Sequence, residues 1–186
     1  SSSLWNPMMN GGPGLLDGID YGSATAFSVT IFHSGGTGAL PGRDGLSATA
    51  FPSGVRNTPV EITESVAPVV FHRKEYRPKS GGAGKFRGGH GQIIDIEHTE
   101  GVPFAIFALF DRIDYPARGR AGGSDGARGI VRLASGQILK GKGKQIIPAG
   151  QRLIMELPGG GGYGDSDERD PELIQNDIDN ELEPFS

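Results

Sequence analysis

Apolar residues in this chain come in short runs, and most runs carry the period of strands rather than helices. Residues 27–33 (Phe-Ser-Val-Thr-Ile-Phe-His) are β-branched and aromatic and lie between glycine-containing stretches, which predicts a first strand. Residues 60–64 and 67–77 predict two more, separated at Ser65 and interrupted at Pro68; the second starts apolar and becomes charged, as a strand does on leaving a core. Residues 92–98 alternate, with Ile94 and Ile96 on one face and Ile93, Asp95 and Glu97 on the other. Residues 103–110 are almost continuously apolar, the pattern of a strand buried on both faces. Short strands at 130–133, 137–140, 145–147 and 152–157 follow, with residues 81–91 read as turns and 111–129 as loop. One segment has helical spacing. Ile174, Ile178 and Leu182 recur every four residues behind Asp170 as N-cap, Pro171 at the first helical position and Glu172 in the first turn. Residues 1–22 read as irregular chain docked through Trp5. The pattern predicts a mainly β fold: one glycine-rich packed-sheet, sandwich-like domain over residues 1–164, then an acidic segment over 165–186 carrying one short C-terminal α-helix.

Composition sharpens this picture. At 186 residues the chain can build one core. Its 32 glycines and 13 prolines are clustered rather than periodic, which excludes collagen and favours a loop-rich β protein. The absence of cysteine excludes a disulfide framework and thiolate metal sites and is compatible with a reducing compartment. No run approaches the roughly 20 apolar residues of a membrane span, and no signal-peptide pattern opens the chain, so a cytoplasmic protein without a membrane partner is expected. The chain opens on Ser1 rather than Met, as a processed product or a fragment does. The net charge of −4 is uneven: residues 165–186 hold nine acids and one arginine. The ordinary reading of that run is a solvated acidic segment.

Candidate chemistry concentrates in residues 44–64, where small residues, Pro52, Pro59 and Gly54 predict an irregular segment that feeds a strand from Val60. Long irregular segments inside compact domains are often functional. Asp44, Asn57, Glu61 and Glu64 are its most site-like polar residues, although short side chains such as Asp44, Ser47 and Asn57 also cap turns. No phosphate loop is present, and the dinucleotide pattern fails where Pro41 replaces its third glycine. His33, His72, His90 and His98 lack metal-site spacing, so no metal is expected on this chain. There is no Gly-x-Ser-x-Gly elbow. The basic stretch from Arg73 to Arg87 lies in an acidic protein and its Arg-Gly-Gly occurs singly between strands, so nucleic acid is not an expected partner.

Three ordered phrases carry a resemblance. They are Asp44-Gly-x-Ser47-Ala-Thr-Ala-Phe-Pro-x-Gly-x-x-Asn57-Thr-Pro-x-Glu61; Glu75-x-Arg77-Pro-Lys-Ser80-Gly-Gly-Ala-Gly-Lys-Phe-Arg87-Gly-Gly-x-Gly91; and Pro158-Gly-Gly-Gly-Gly-Tyr-Gly-Asp165, followed by Glu168-Arg169-Asp170-Pro171. Together they resemble the C-terminal part of the B-type subunit of the hydantoinase B/oxoprolinase family. The family's N-terminal Asn-Asp-Pro-Tyr and Gly-Thr-His-x-x-Asp phrases, associated with metal binding, do not occur in this sequence, and Lys79 stands where the family usually has Asp. The resemblance implies part of an ATP-dependent hydantoinase, 5-oxoprolinase or ketone carboxylase. ATP and a divalent metal would be bound elsewhere in the assembly, and no cofactor by this chain. Its implied partners are an A-type subunit or domain, the remainder of the B-type subunit and a small cyclic amide substrate. The chain would supply pocket wall and subunit interface, with Asp44, Ser47, Asn57, Glu61 and Arg87 facing substrate; its catalytic residues are not identified. The competing expectation is a stand-alone β binding module without catalysis.

Overall fold

The computed structural model describes residues 4–5, 8–11, 27–49 and 58–182, the first two stretches by backbone alone. Two four-stranded antiparallel sheets face each other. The first has the order β5-β6-β10-β8, from Val69–Tyr76 (β5), Gln92–His98 (β6), Leu153–Glu156 (β10) and Ile130–Leu133 (β8). The second runs β3-β2-β7-β9, from Phe27–Thr30 (β3), Met8–Gly11 (β2), Phe104–Leu109 (β7) and Lys142–Ile147 (β9). Leu4–Trp5 (β1) pairs separately with His33–Ser34 (β4). One apolar core joins the sheets. Ile94, Ile96, Val131, Leu133, Leu153 and Met155 come from the first, and Phe27, Phe104, Ile106, Ala108 and Ile147 from the second. The mainly β, sandwich-like expectation agrees with this architecture.

Four readings change. Residues 1–22 are not uniformly irregular, since β1 and β2 lie within them. In β7, Phe104, Ala105, Ile106 and Ala108 are buried, but Phe107 and Leu109 are 36% and 57% exposed, so the outer face opens toward solvent halfway along the strand. Residues 137–140 contribute only an isolated bridge, Arg132 with Ile138. The segment from Val60 is helix rather than strand: Val60–Val66 (α1) begins directly after Pro59, and the Thr63 hydroxyl bonds back to the Pro59 carbonyl at 3.5 Å. Its few apolar residues do not separate helix from strand by periodicity. Proline ahead of the first turn, Glu61 within that turn and the Glu64 carboxylate accepting from Phe71 N–H at 2.7 Å favour the helix folded back on β5.

The segments read as turns and loops assemble into an ordered bundle of extended glycine-rich chain. Its hydrogen bonds recur every third residue. Gly36 and Ala39 N–H donate to Pro158 and Gly161; Gly159 and Gly162 donate to Ala127 and Ser124; Ser124 and Ala127 donate to Ala83 and Ser80. Three residues per turn is the repeat of the polyproline II helix, whose backbone has no internal bonds and so can bond to several neighbours at once. Residues 159–162 form the centre. A Cβ there would overlap the carbonyl oxygens of Ser80, Thr37, Arg118 and Ala83 in turn, so the central rod is surrounded on every side by backbone. Glycine is required there by close approach.

The final expected helix is present as Pro171–Asp179 (α2), with the Asp170 carboxylate accepting from Glu172 N–H at 2.9 Å. It does not dock by an apolar stripe. Ile174 is exposed, Leu182 lies beyond the helix end, and the buried residue of α2 is Asp177.

Candidate functional site

Asp44 and Ser47 each use a side chain in place of a backbone acceptor. Asp44 Oδ1 accepts from Arg87 N–H at 2.7 Å and Ser47 Oγ accepts from His90 N–H at 3.0 Å. Gly45 N–H to Arg87 C=O (2.7 Å) and Ala48 N–H to His90 C=O (2.9 Å) complete the zipper between the two segments. Both side chains therefore act as caps, but across the fold rather than within their own turn. Ala48, between Ser47 and Thr49, has φ 49°, a left-handed conformation that costs an L-residue energy.

Asp44 also belongs to a closed set of charges. Arg169 grips it with both Nη atoms at 2.9 and 2.8 Å and reaches Asp177 Oδ2 at 2.8 Å. Arg87 holds Asp177 through Nε at 3.0 Å and Nη2 at 2.8 Å, and donates through Nη1 to Gly88 C=O. Two guanidiniums and two carboxylates balance, with forked geometry on both sides. Burial works to raise the Asp44 pKa, but the bonds from Arg169 and Arg87 N–H outweigh it and hold the carboxyl below its usual range. The same bond to Asp44 raises Arg169 against its burial. This set fastens α2 to the glycine bundle.

His90 is buried beneath the zipper. Its Nδ1 accepts from Gly81 N–H at 3.2 Å, which leaves the proton on Nε2. Burial, then the Arg87 charge, push its pKa down to about 4. His33 is buried against the edge of Phe71 with ring centroids 6.4 Å apart, and burial, then Lys74, lower it to about 3. Both rings are neutral packing groups near neutral pH.

A cleft of about 530 Å³ opens beside the zipper, lined by Ser47, Ala48, Thr49, Lys74, Glu75, Tyr76 and Gln92. Lys74 is its distinctive group. Burial lowers the ammonium pKa, Glu61 opposes this, and Nζ donates to Thr58 C=O at 2.8 Å. Glu61, on α1, thus acts on the cleft through Lys74. A partly desolvated ammonium beside two hydroxyls and a phenol can hold a carbonyl or carboxylate oxygen. Among the described residues no three His, Asp or Glu side chains converge as metal ligands, so no step is assigned to a metal held by them.

Of the expected site residues, Asp44 and Arg87 meet in the charge set, Ser47 lies in both zipper and cleft, and Glu61 stands behind Lys74. Asn57 lies outside the described residues. Arg169, Asp177 and Lys74 were not singled out from sequence. A signal existed for Arg169, the one cation in the acidic C-terminal run.

This chain belongs to the hydantoinase B/oxoprolinase family, whose sequence model matches residues 5–166. Among curated relatives, it is 38% identical over 109 residues to the 5-oxoprolinase of Saccharomyces cerevisiae, covering 56% of this chain and 8% of that protein. It is 31% identical over 131 residues to the caprolactamase subunit beta of Pseudomonas jessenii, covering 66% of this chain and 22% of that subunit. The solved structure of the ATP-dependent caprolactamase from Pseudomonas jessenii shares the fold, with TM-score 0.72 and 24% identity over 98% of this chain and 33% of that one. The matched part of the chain thus spans less than a quarter of the length of either curated relative. Among the described residues no helix is long and apolar enough to cross a membrane.

Proposed function

We propose that this chain is the C-terminal portion of a B-type subunit in an ATP-dependent cyclic amide hydrolase, and that it supplies pocket wall and subunit interface. An A-type partner would bind ATP and activate the amide oxygen; the remainder of the B-type subunit would carry a divalent metal. The substrate would be a small cyclic amide of the hydantoin, 5-oxoproline or lactam kind, handled in the cytoplasm. The observation that carries this reading is the cleft between Ser47–Thr49 and Lys74–Tyr76, backed by a bundle whose glycine backbones leave no room to shift. In that wall Lys74 would hold the developing carboxylate as the ring opens. Ser47 and Thr49 would orient the amide, and Asn57 would contribute to substrate binding. Asp44 and Arg87 would keep the wall in place, and Glu61 would keep Lys74 charged.

Reconstitution tests it. With an A-type subunit and the remainder of a B-type subunit, the chain is expected to support ATP-dependent opening of 5-oxoproline, a hydantoin or caprolactam. Lys74→Met should lower that turnover roughly tenfold or more, about 1.4 kcal/mol in the barrier. The isolated chain is expected to release no phosphate from ATP. Assembly with unchanged turnover in Lys74→Met would return the chain to a binding module.

A further inference from the structure

A second cavity, of about 420 Å³ and separate from the Lys74 cleft, opens against the central glycine rod; Gly38, Arg112, Arg118, Arg120 and Gly161 are among its lining. Three of its lining residues are arginines and none is acidic. Six arginines elsewhere in the fold (Arg73, Arg77, Arg87, Arg132, Arg152 and Arg169) are matched to carboxylates. Arg118 and Arg120 are matched to none among the described residues.

Their backbone is fixed. Arg120 N–H bonds to Gly162 C=O at 2.9 Å, Gly119 N–H bonds to Asp125 Oδ1 at 2.8 Å, and the Arg118 carbonyl packs against Gly161. Two guanidiniums two residues apart are thus presented from a rigid platform, which reduces the entropy lost on capturing a ligand.

The rod adds a second observation. Gly159, Gly160, Gly162 and Tyr163 each donate their N–H to a neighbouring carbonyl, but buried Gly161 donates to nothing among the described residues. Neither does half-buried Gly38, which the Ala39 N–H to Gly161 C=O bond (2.9 Å) places beside it. A buried N–H without an acceptor, as at Gly161, is rare and costly, and both glycines line the arginine cavity.

We propose that this cavity binds a small oxyanion, the carboxylate or phosphoryl group of a small metabolite. Arg118 and Arg120 neutralise its charge, the Gly161 and Gly38 N–H groups donate to its oxygens, and Tyr115 and Pro116 cover its apolar part. Guanidinium forks and backbone N–H donors are the usual partners of such groups. The volume lies in the range of small-ligand pockets. The proposal does not depend on the hydrolase reading, because it concerns binding by this chain alone.

The test is an amide-resolved NMR titration of the chain with inorganic phosphate in one arm and 5-oxoproline, as its carboxylate, in the other. Saturable shifts at Gly161 and Gly38 are expected below about 10 mM, with the Arg118→Gln/Arg120→Gln double variant weakened roughly tenfold or more and its remaining spectrum unchanged. Both side chains are exposed, so the double variant should fold. Saturation in the phosphate arm alone assigns a phosphoryl ligand, in the 5-oxoproline arm alone a carboxylate, and in both a general oxyanion. No saturation in either arm, or equal affinity in the double variant, overturns the site. Neither result would touch the reconstitution experiment.

Discussion

Arg169 holds Asp44 with both of its terminal nitrogens, at 2.9 and 2.8 Å, across 125 residues of chain. That fork ties the acidic C-terminal helix to the loop that opens the cleft wall, and Asp177 and Arg87 close it into a neutral set of four. The acidic run is therefore not uniformly a solvated face. Its lone cation and one of its acids are built into the fold.

Removing one member should be costly. Arg169→Ala leaves Asp44 and Asp177 facing Arg87 alone, and is expected to lose about 3–5 kcal/mol, the cost of breaking a largely buried pair. Urea unfolding measures it. A loss under about 1 kcal/mol would class the network with surface ion pairs.

Stability should fall on acidification before carboxylates protonate. His90 and His33 stay neutral in the folded chain down to pKa values of about 4 and about 3. In the unfolded chain each takes a proton near pH 6.5. The unfolded state therefore binds more protons in that window, and stability drops as pH falls from about 6.5 toward 4. His90→Gln should flatten the slope of unfolding free energy against pH by about one proton. The contribution from Asp44, whose folded pKa is depressed, is present above the unfolded carboxylate value and is lost only as pH falls through the lower folded one.

The glycines of the central rod should tolerate nothing larger. A Cβ at Gly160 would overlap the Thr37 carbonyl, so Gly160→Ala should cost at least about 3 kcal/mol or prevent folding. Gly136 has φ +92° and open space around it; Gly136→Ala should cost only the left-handed penalty, about 1–2 kcal/mol. Thermal melts of the pair separate crowding from backbone strain. Gly82 and Gly88 belong to the crowded kind, facing Ser124 and Gly160 carbonyls without positive φ.

Ser47 and Asn57 should behave oppositely. Ser47→Ala strands the His90 N–H and should cost about 1–3 kcal/mol of stability. Asn57→Ala, if Asn57 orients substrate, should leave stability nearly unchanged while turnover of the reconstituted enzyme falls roughly tenfold or more. A less stable but fully active Asn57→Ala enzyme would make that residue another cap.

Periodicity was enough to find much of the sandwich, because a strand half-buried in a core writes its burial into every second residue. The alternation of buried Ile94 and Ile96 with half-buried Ile93 and Glu97 holds in β6, broken at Asp95, which is buried on the other face and paired with Arg152. The α2 start was equally legible, since Asp170, Pro171 and Glu172 act within one turn. The ordered phrases marked the family for a related reason: glycines with neighbours on all sides leave a recognisable string. What each glycine touches was not legible. Gly159 to Gly162 are an uninterrupted glycine run, yet successive residues face three segments, at Ser80–Ala83, Thr37 and Arg118, each more than 30 residues away, and only the folded chain brings those carbonyls together. Charges posed the same difficulty. Whether Asp177 is solvated or buried depends on Arg87, 90 residues earlier, and Arg169 meeting it at one point. Electrostatic pairing follows distance in space, and nothing in the local pattern encodes it.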